Sequence, residues 1–187
     1  MKTLYFIRHP QTVWNVEDRL QGTLDSPVTD YGKETSRAFV QNFRPKQRVD
    51  AIYYAFNGRT EFLADLLYKK LSKQYPLEII QDERMNERSF GKFEGWTVPQ
   101  MEKVHKYNPH SPYEKYSYKI ETIESYEETL PRVKSFLDDF KSSTYQNGIC
   151  VTSGAIVRLA LLASGQKNIE EIFSFKAPNL GIYEVIV

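Results

Sequence analysis

The chain has 187 residues, a length that suits one domain with a sizeable core. Hydrophobic residues make up 41% and charged residues 26%, the balance of an ordinary soluble protein, which excludes a disordered chain. Formal net charge is +1, from 25 bases against 24 acids, which argues against a nucleic-acid backbone as partner but leaves room for a local arginine cluster that binds a small anion.

In chain order, "TLYFI" reads as a strand that runs straight into Arg8 and His9. It is too short for the apolar region of a signal peptide and has no small-residue cleavage site. "TDYGKETSRAFVQNF" carries a Thr/Asp start signal and places Ala38, Phe39 and Phe43 on one helical face. "AIYYA" is a second strand, and the "FNGRT" after it puts Arg59 at the opening of a helix. That helix, "RTEFLADLLYKKL", repeats the pattern with Phe62, Leu63, Leu66, Leu67 and Leu71, and "LEIIQ" is a third strand. Residues from about 97 to 123 are irregular and rich in Tyr, Lys and Pro, as expected of an inserted lid or cap with some helix of its own. "ESYEETLPRVKSFLDDF" is a helix that Pro131 should kink or restart. "GICVTS" is a strand leading through Ser153 and Gly154 into the buried helix "AIVRLALLAS", and "GIYEVIV" is the last strand. The lone Cys150 has no disulfide partner, so a reducing compartment, the cytoplasm, is expected. No apolar run approaches a membrane span.

Strands alternating with helices predict an α/β fold, a three-layer sandwich with a mainly parallel central sheet flanked by helices. The order of the strands is not readable from this pattern. Ligands of such sheets bind beyond the carboxyl ends of the strands. There the first strand supplies Arg8, His9 and then Asn15, the second Arg59, and the fourth Thr152 and Ser153. Each alone is an ordinary surface feature. Together, two arginines, a histidine, small hydroxyls and helix amides make a nest for a phosphoryl group.

In these residues the chain resembles the histidine phosphatase, or phosphoglycerate mutase-like, superfamily. "RHPQTVWN" matches its Arg-His-Gly-Glu-Thr and Trp-Asn pattern at Arg8, His9, Thr12, Trp14 and Asn15. "QGTLDSPVTDYG" is similar through Gln21, Gly22, Asp25, Pro27, Thr29 and Gly32. "ERMNERSFGKFEGWT" is similar to its Glu-Arg-x-x-Gly-x-x-Glu-Gly stretch, and "IESYEETLPRV" to a helix with Glu124, Ser125, Arg132 and Val133. The likeness spans essentially the whole chain. It implies a single phosphoglycerate mutase-like domain over residues 1–187 that hydrolyses a small phosphomonoester through a phosphohistidine. By this resemblance His9 is the nucleophile, and Glu87 protonates the leaving group and then activates water. Arg8, Asn15, Arg59 and Ser153 would hold the phosphate, and Gln21 and Gly22 would contact the substrate. The arginines would keep His9 neutral and stabilise the transferring charge. The scheme needs no metal and no other cofactor. The implied partner is a small phosphorylated substrate, with neither nucleic acid nor membrane; a homodimer is left open.

The departures from the family pattern bear on turnover. Ser153 stands where the family has a second histidine, and a hydroxyl gives one hydrogen bond and no charge. Losing a charged hydrogen bond costs about 1.5–3 kcal/mol, so slow hydrolysis is expected. Pro10 replaces a glycine and removes an N–H beside the nucleophile, and "YAFNGRTEFL" makes the surroundings of Arg59 more apolar. Only His105 and His110 could substitute for the missing imidazole, and both fall in the Tyr-rich insertion, where exposed histidines are ordinary. Lys103, Lys106, Lys115 and Lys119, among Tyr107, Tyr113, Tyr116 and Tyr118, are either a solvated surface or contacts for a phosphorylated sugar or nucleotide. A serine hydrolase centred on Ser153 is excluded, because its elbow needs Gly at Val151 and Ala155 and a histidine after the serine. His9, His105, His110 and Cys150 lack the spacing of zinc ligands. The alternative is a catalytically impaired relative that binds a phosphorylated ligand or a protein. A phosphoglycerate mutase ranks behind both, since no tail after "GIYEVIV" would close the site over a phosphoenzyme.

Overall fold

The β-branched and aromatic runs all become strands of one five-stranded sheet in the computed structural model, which describes residues 1–108, 120 and 122–187. They are β1 (Thr3–Arg8), β2 (Ala51–Tyr54), β3 (Glu78–Gln81), β4 (Asn147–Thr152) and β5 (Ile182–Ile186). The order across the sheet is β3-β2-β4-β1-β5, with β5 alone antiparallel, on β1. Around the sheet lie α1 (Val13–Val16), α2 (Asp30–Asn42), α3 (Gly58–Leu71), α4 (Val98–His105), α5 (Tyr126–Ser142), α6 (Gly154–Ala163) and α7 (Ile169–Ser174). The mixed α/β architecture with helices on both faces is the expected one.

Strand alternation divides the core between the two faces. Leu4, Phe6, Tyr53 and Cys150 pack under Phe136 and Phe140 of α5 and Ile156 of α6. Tyr5, Ile7, Ile52, Ile149 and Val151 meet Val40 of α2 and Leu63 and Leu67 of α3. Each fully buried side chain of this kind contributes about 1.5–3 kcal/mol. Every residue of the central strand β4 is buried.

The restart expected at Pro131 does not occur: α5 is one helix, opened by a capping box between Ser125 and Glu128. Pro131 removes the bond to the Glu127 carbonyl, and both residues are exposed, so water can satisfy that carbonyl. A third, smaller cluster gathers Leu20, Phe90, Phe93, Val98, Met101, Tyr107 and Ile123 around α4. The His105 ring lies against Phe93 at 4.7 Å and Trp96 at 6.1 Å between centroids. His110, Lys115, Lys119, Tyr113, Tyr116 and Tyr118 fall outside the described residues. Among the described residues no helix is long and apolar enough to cross a membrane.

Strand register brings the two predicted phosphate-binding ends together. Arg8 pairs with Thr152 at the carboxyl ends of β1 and β4, so His9 and Ser153 each lie one residue beyond the sheet. The His9 amide still donates to the Thr152 carbonyl at 2.8 Å.

Candidate active site

A cavity of about 500 Å³ opens at this edge, lined by Arg8, His9, Asn15, Gln21, Gly22, Arg59 and Glu87 among others. All the candidate site residues except Ser153 therefore share one cavity wall. Ser153 is buried behind it, while its neighbours Gly154 and Ala155 line the wall. Its hydroxyl caps nothing, although Ser153 stands at the N-terminus of α6, and it has no hydrogen-bond partner among the described residues. His105 does not line the cavity.

His9 is 3% exposed, and its Nδ1 lies 2.8 Å from the Pro10 carbonyl oxygen. A carbonyl only accepts, so in the neutral ring Nδ1 carries the proton and Nε2 keeps the lone pair. Burial pushes the His9 pKa well below its ordinary 6.5, and the positive charges of Arg59 and Arg8 push it the same way. The main chain is pinned as well, because the Asn179 amide donates to the His9 carbonyl at 2.8 Å. The acceptor that fixes the imidazole is the main-chain carbonyl of Pro10, a group that the loss of the N–H there leaves intact.

Asn15 is placed by a one-turn helix. Thr12 Oγ1 accepts from the Asn15 amide, and Asn15 Oδ1 accepts from the Thr12 amide at 3.1 Å, a reciprocal cap. Asn179 donates to the same Oδ1 at 3.3 Å, so the oxygen is used and the amino group is the part left to donate.

Arg59, at the start of α3, is 1% exposed. Its Nη1 donates to the Leu24 carbonyl at 2.7 Å and pairs with Asp25 at 3.1 Å, and its Nη2 donates to the Gly22 carbonyl at 2.9 Å. Its Nε has no partner among the described residues. Arg8 repeats the arrangement: Nη1 donates to the Ala177 carbonyl at 2.6 Å, and the buried Nε is unpaired. Two buried guanidinium N–H donors without acceptors are costly unless an anion completes them. Gly22 belongs to the loop that Arg59 holds. Its φ of +56° and the collision of an added Cβ with Glu94 Oε1 leave room only for glycine.

Glu87 arrives on a segment gripped from three sides. Thr152 Oγ1 donates to the Met85 carbonyl at 2.6 Å, and Asn86 Oδ1 accepts from the Phe56 amide at 2.6 Å. Arg132 of α5 donates to the carbonyls of Arg84 at 2.6 Å and Asn86 at 2.7 Å, and pairs with Glu124. Among the described residues no group of three or more His, Cys, Asp or Glu side chains is placed to hold a metal ion.

Several residues at the cavity or just behind it hold parts of the wall in place and were not assigned by sequence reasoning. Asn179 is one, and its only signal was a Pro-Asn turn before the last strand. Glu94 is another: its carboxylate accepts from the amides of Thr23, Leu24 and Phe90, which folds the Gly22 loop around it. Arg88, Arg158 and Lys176 also line the cavity.

Comparisons with known proteins bear on the family and the fold. The model of the histidine phosphatase superfamily (branch 1) matches residues 4–187. A protein of Hydrogenobacter thermophilus named "Putative phosphoserine phosphatase 2" is 33% identical, over 99% of this chain and 89% of its own length. Phosphoserine phosphatase 1 of the same organism is 26% identical, over 100% of this chain and 86% of its own. The solved phosphoserine phosphatase of Entamoeba histolytica, in complex with 3-phosphoglyceric acid, has this fold, with a TM-score of 0.79, 24% identity, and coverage of 98% of this chain and 90% of that one.

Proposed function

The chain belongs to branch 1 of the histidine phosphatase superfamily, and from that premise we propose that it hydrolyses a small phosphomonoester through a phosphohistidine on His9. The observation that carries this reading is the His9 imidazole itself: neutral, with its proton on Nδ1, and flanked by the unpaired Nε–H groups of Arg8 and Arg59 in one cavity with Glu87. In the first step Nε2 attacks phosphorus, the bond from phosphorus to the ester oxygen breaks, and Glu87 gives that oxygen a proton. In the second step the Glu87 carboxylate takes a proton from water, the water oxygen bonds to phosphorus, and His9 leaves with its Nε2 lone pair restored. Arg8, Arg59 and the Asn15 amino group receive the phosphoryl oxygens, with Gln21 and the Gly22 loop beside them. Ser153 lies behind the wall with an uncharged hydroxyl, where the family pattern puts a second histidine, so the rate is expected to be low.

The names of the two Hydrogenobacter relatives make phosphoserine the first substrate to try. The small cluster around α4, with Val98 on the cavity wall, supports reading the region from about 97 to 123 as a cap. A buried lone cysteine supports the cytoplasm.

The test is incubation with a 32P-labelled phosphomonoester followed by rapid quench. Acid-labile, base-stable label is expected on the wild type and absent from His9→Ala, with turnover in that variant lower by at least about 1,000-fold. Undiminished turnover in His9→Ala would end the proposal. Position 153 favours the second reading, binding without turnover, and ligand protection with no label in either protein would establish it.

A further inference from the structure

The phosphoryl end of the cavity accounts for only part of the positive charge on its wall. Six cations line it, Arg8, Arg19, Arg59, Arg88, Arg158 and Lys176, against the two acids Asp18 and Glu87. Arg19 is paired with Glu17 and Arg59 with Asp25. Arg158 and Lys176 form no ion pair among the described residues, and both line the cavity, one on α6 and the other on the segment after α7.

Local bonds show how Arg158 is aimed. Its Nε donates to the Phe175 carbonyl at 3.1 Å and its Nη1 to the Tyr126 hydroxyl at 3.0 Å, which anchors the guanidinium and leaves Nη2 without a hydrogen bond among the described residues. Arg8 holds the Ala177 carbonyl on the same segment. Carbonyls two residues apart on an extended stretch are separated by roughly 7 Å. The two guanidiniums thus line one cavity and grip neighbouring carbonyls of one segment, with exposed Lys176 between their anchor points. Burial lowers the Arg8 pKa and Glu87 opposes the shift, while Arg158 adds to it, a sign that the two charges are close enough to repel. Two like charges held together this way are relieved by an anion at each.

We infer that Arg158 and Lys176 form a second anion site, which selects phosphomonoesters carrying a carboxylate or a second phosphate a few bonds from the phosphoryl group. The inference rests on the reading of His9, Arg8 and Arg59 as the phosphoryl end. Arg158 and Lys176 then act on specificity: they place the second anion, and the phosphoryl group is carried toward His9.

The test compares 3-phosphoglycerate, propane-1,3-diol bisphosphate and glycerol 3-phosphate, which carry a carboxylate, a second phosphate and no second anion. The expected result is a wild-type kcat/KM at least about tenfold higher for one of the first two than for glycerol 3-phosphate. That ratio should fall about tenfold in Lys176→Gln and in Arg158→Gln, mainly through KM. Lys176 is exposed, so its variant folds even if Arg158→Gln loosens the segment it anchors. Whichever anion gives the higher ratio identifies the ligand. Calorimetric binding of the same three compounds to His9→Ala, with and without Lys176→Gln, keeps the two readings separate. If no compound is hydrolysed but the second anion still tightens binding and Lys176→Gln removes the gain, hydrolysis fails and the anion site stands. Equal kcat/KM or equal affinity for all three compounds, or ratios untouched by both variants, would overturn the inference.

Discussion

Burial lowers the pKa of the His9 imidazole, and Arg59 and Arg8 lower it further; the bond to the Pro10 carbonyl opposes them and does not prevail. Linkage gives the sign for stability. An unfolded chain takes up the histidine proton as pH falls through 6.5 and the folded protein does not, so His9 costs stability below that pH and nothing above it. In the proposed reaction the same depression keeps the attacking imidazole neutral in mild acid. In the ligand-free protein, 15N-detected NMR is expected to show His9 still as the Nδ1-protonated neutral tautomer below pH 6.5, where an ordinary histidine is mostly charged. A titration midpoint near 6.5 would show that the arginines do not control the ring. His9 was legible as a candidate because Arg-His at a strand end is a compact signal, and it lines the cavity. Its tautomer was not, since that depends on where the Pro10 carbonyl points. The outcome at Ser153 was half legible: the loss of charge is plain in "VTSG", but its place behind the wall comes from the path of α6.

The loop from Gln21 to Asp25 has no regular structure and yet is among the most constrained segments of the site. Glu94 binds the amides of Thr23 and Leu24 from one side, and Arg59 binds the carbonyls of Gly22 and Leu24 from the other. Gly22→Ala should fail twice, from a left-handed φ that costs about 1 kcal/mol for alanine and from the collision with Glu94. Removing the Glu94 side chain relieves only the collision. Urea unfolding of Gly22→Ala, Glu94→Ala and the double variant is therefore expected to give a non-additive cycle. Gly22→Ala alone should cost about 2–3 kcal/mol, and the pair at least about 1 kcal/mol less than the sum. Strict additivity would mean the loop moves away from Glu94 freely. Elements of this kind separate the legible from the illegible. Strands and long helices announce themselves by periodicity, and all five strands and the four long helices lie where it puts them. A loop held by one carboxylate and one guanidinium 35 residues apart, as Arg59 is from Leu24, leaves no periodic trace.

At the scale of the molecule, the near-neutral composition conceals a strong local field. The net charge is +1, yet the cavity wall alone carries six cations and two acids, so the balancing carboxylates lie elsewhere. Strand order produces the concentration. β1 and β4 are neighbours in the middle of the sheet, so Arg8, His9, α6 with Arg158, and the return segment with Lys176 converge on one edge. Because that order was unreadable, sequence reasoning named candidates for a phosphoryl nest but not Arg158 and Lys176, which line the same cavity. A field of local origin has a measurable signature. Lys141 is exposed at the C-terminal end of α5, where Lys2 donates to the Phe140 carbonyl, and so lies at the opposite edge of the sheet. Lys141→Gln and Lys176→Gln change the net charge equally. Between about 20 and 500 mM salt the Debye length shrinks from roughly 20 Å to roughly 4 Å, so kcat/KM for an anionic phosphomonoester should fall about fivefold or more. Lys141→Gln should reproduce the wild-type salt slope, and Lys176→Gln should flatten it by about a third or more. Equal slopes in the two variants would mean that net charge, and not the arrangement of the wall, draws the substrate in.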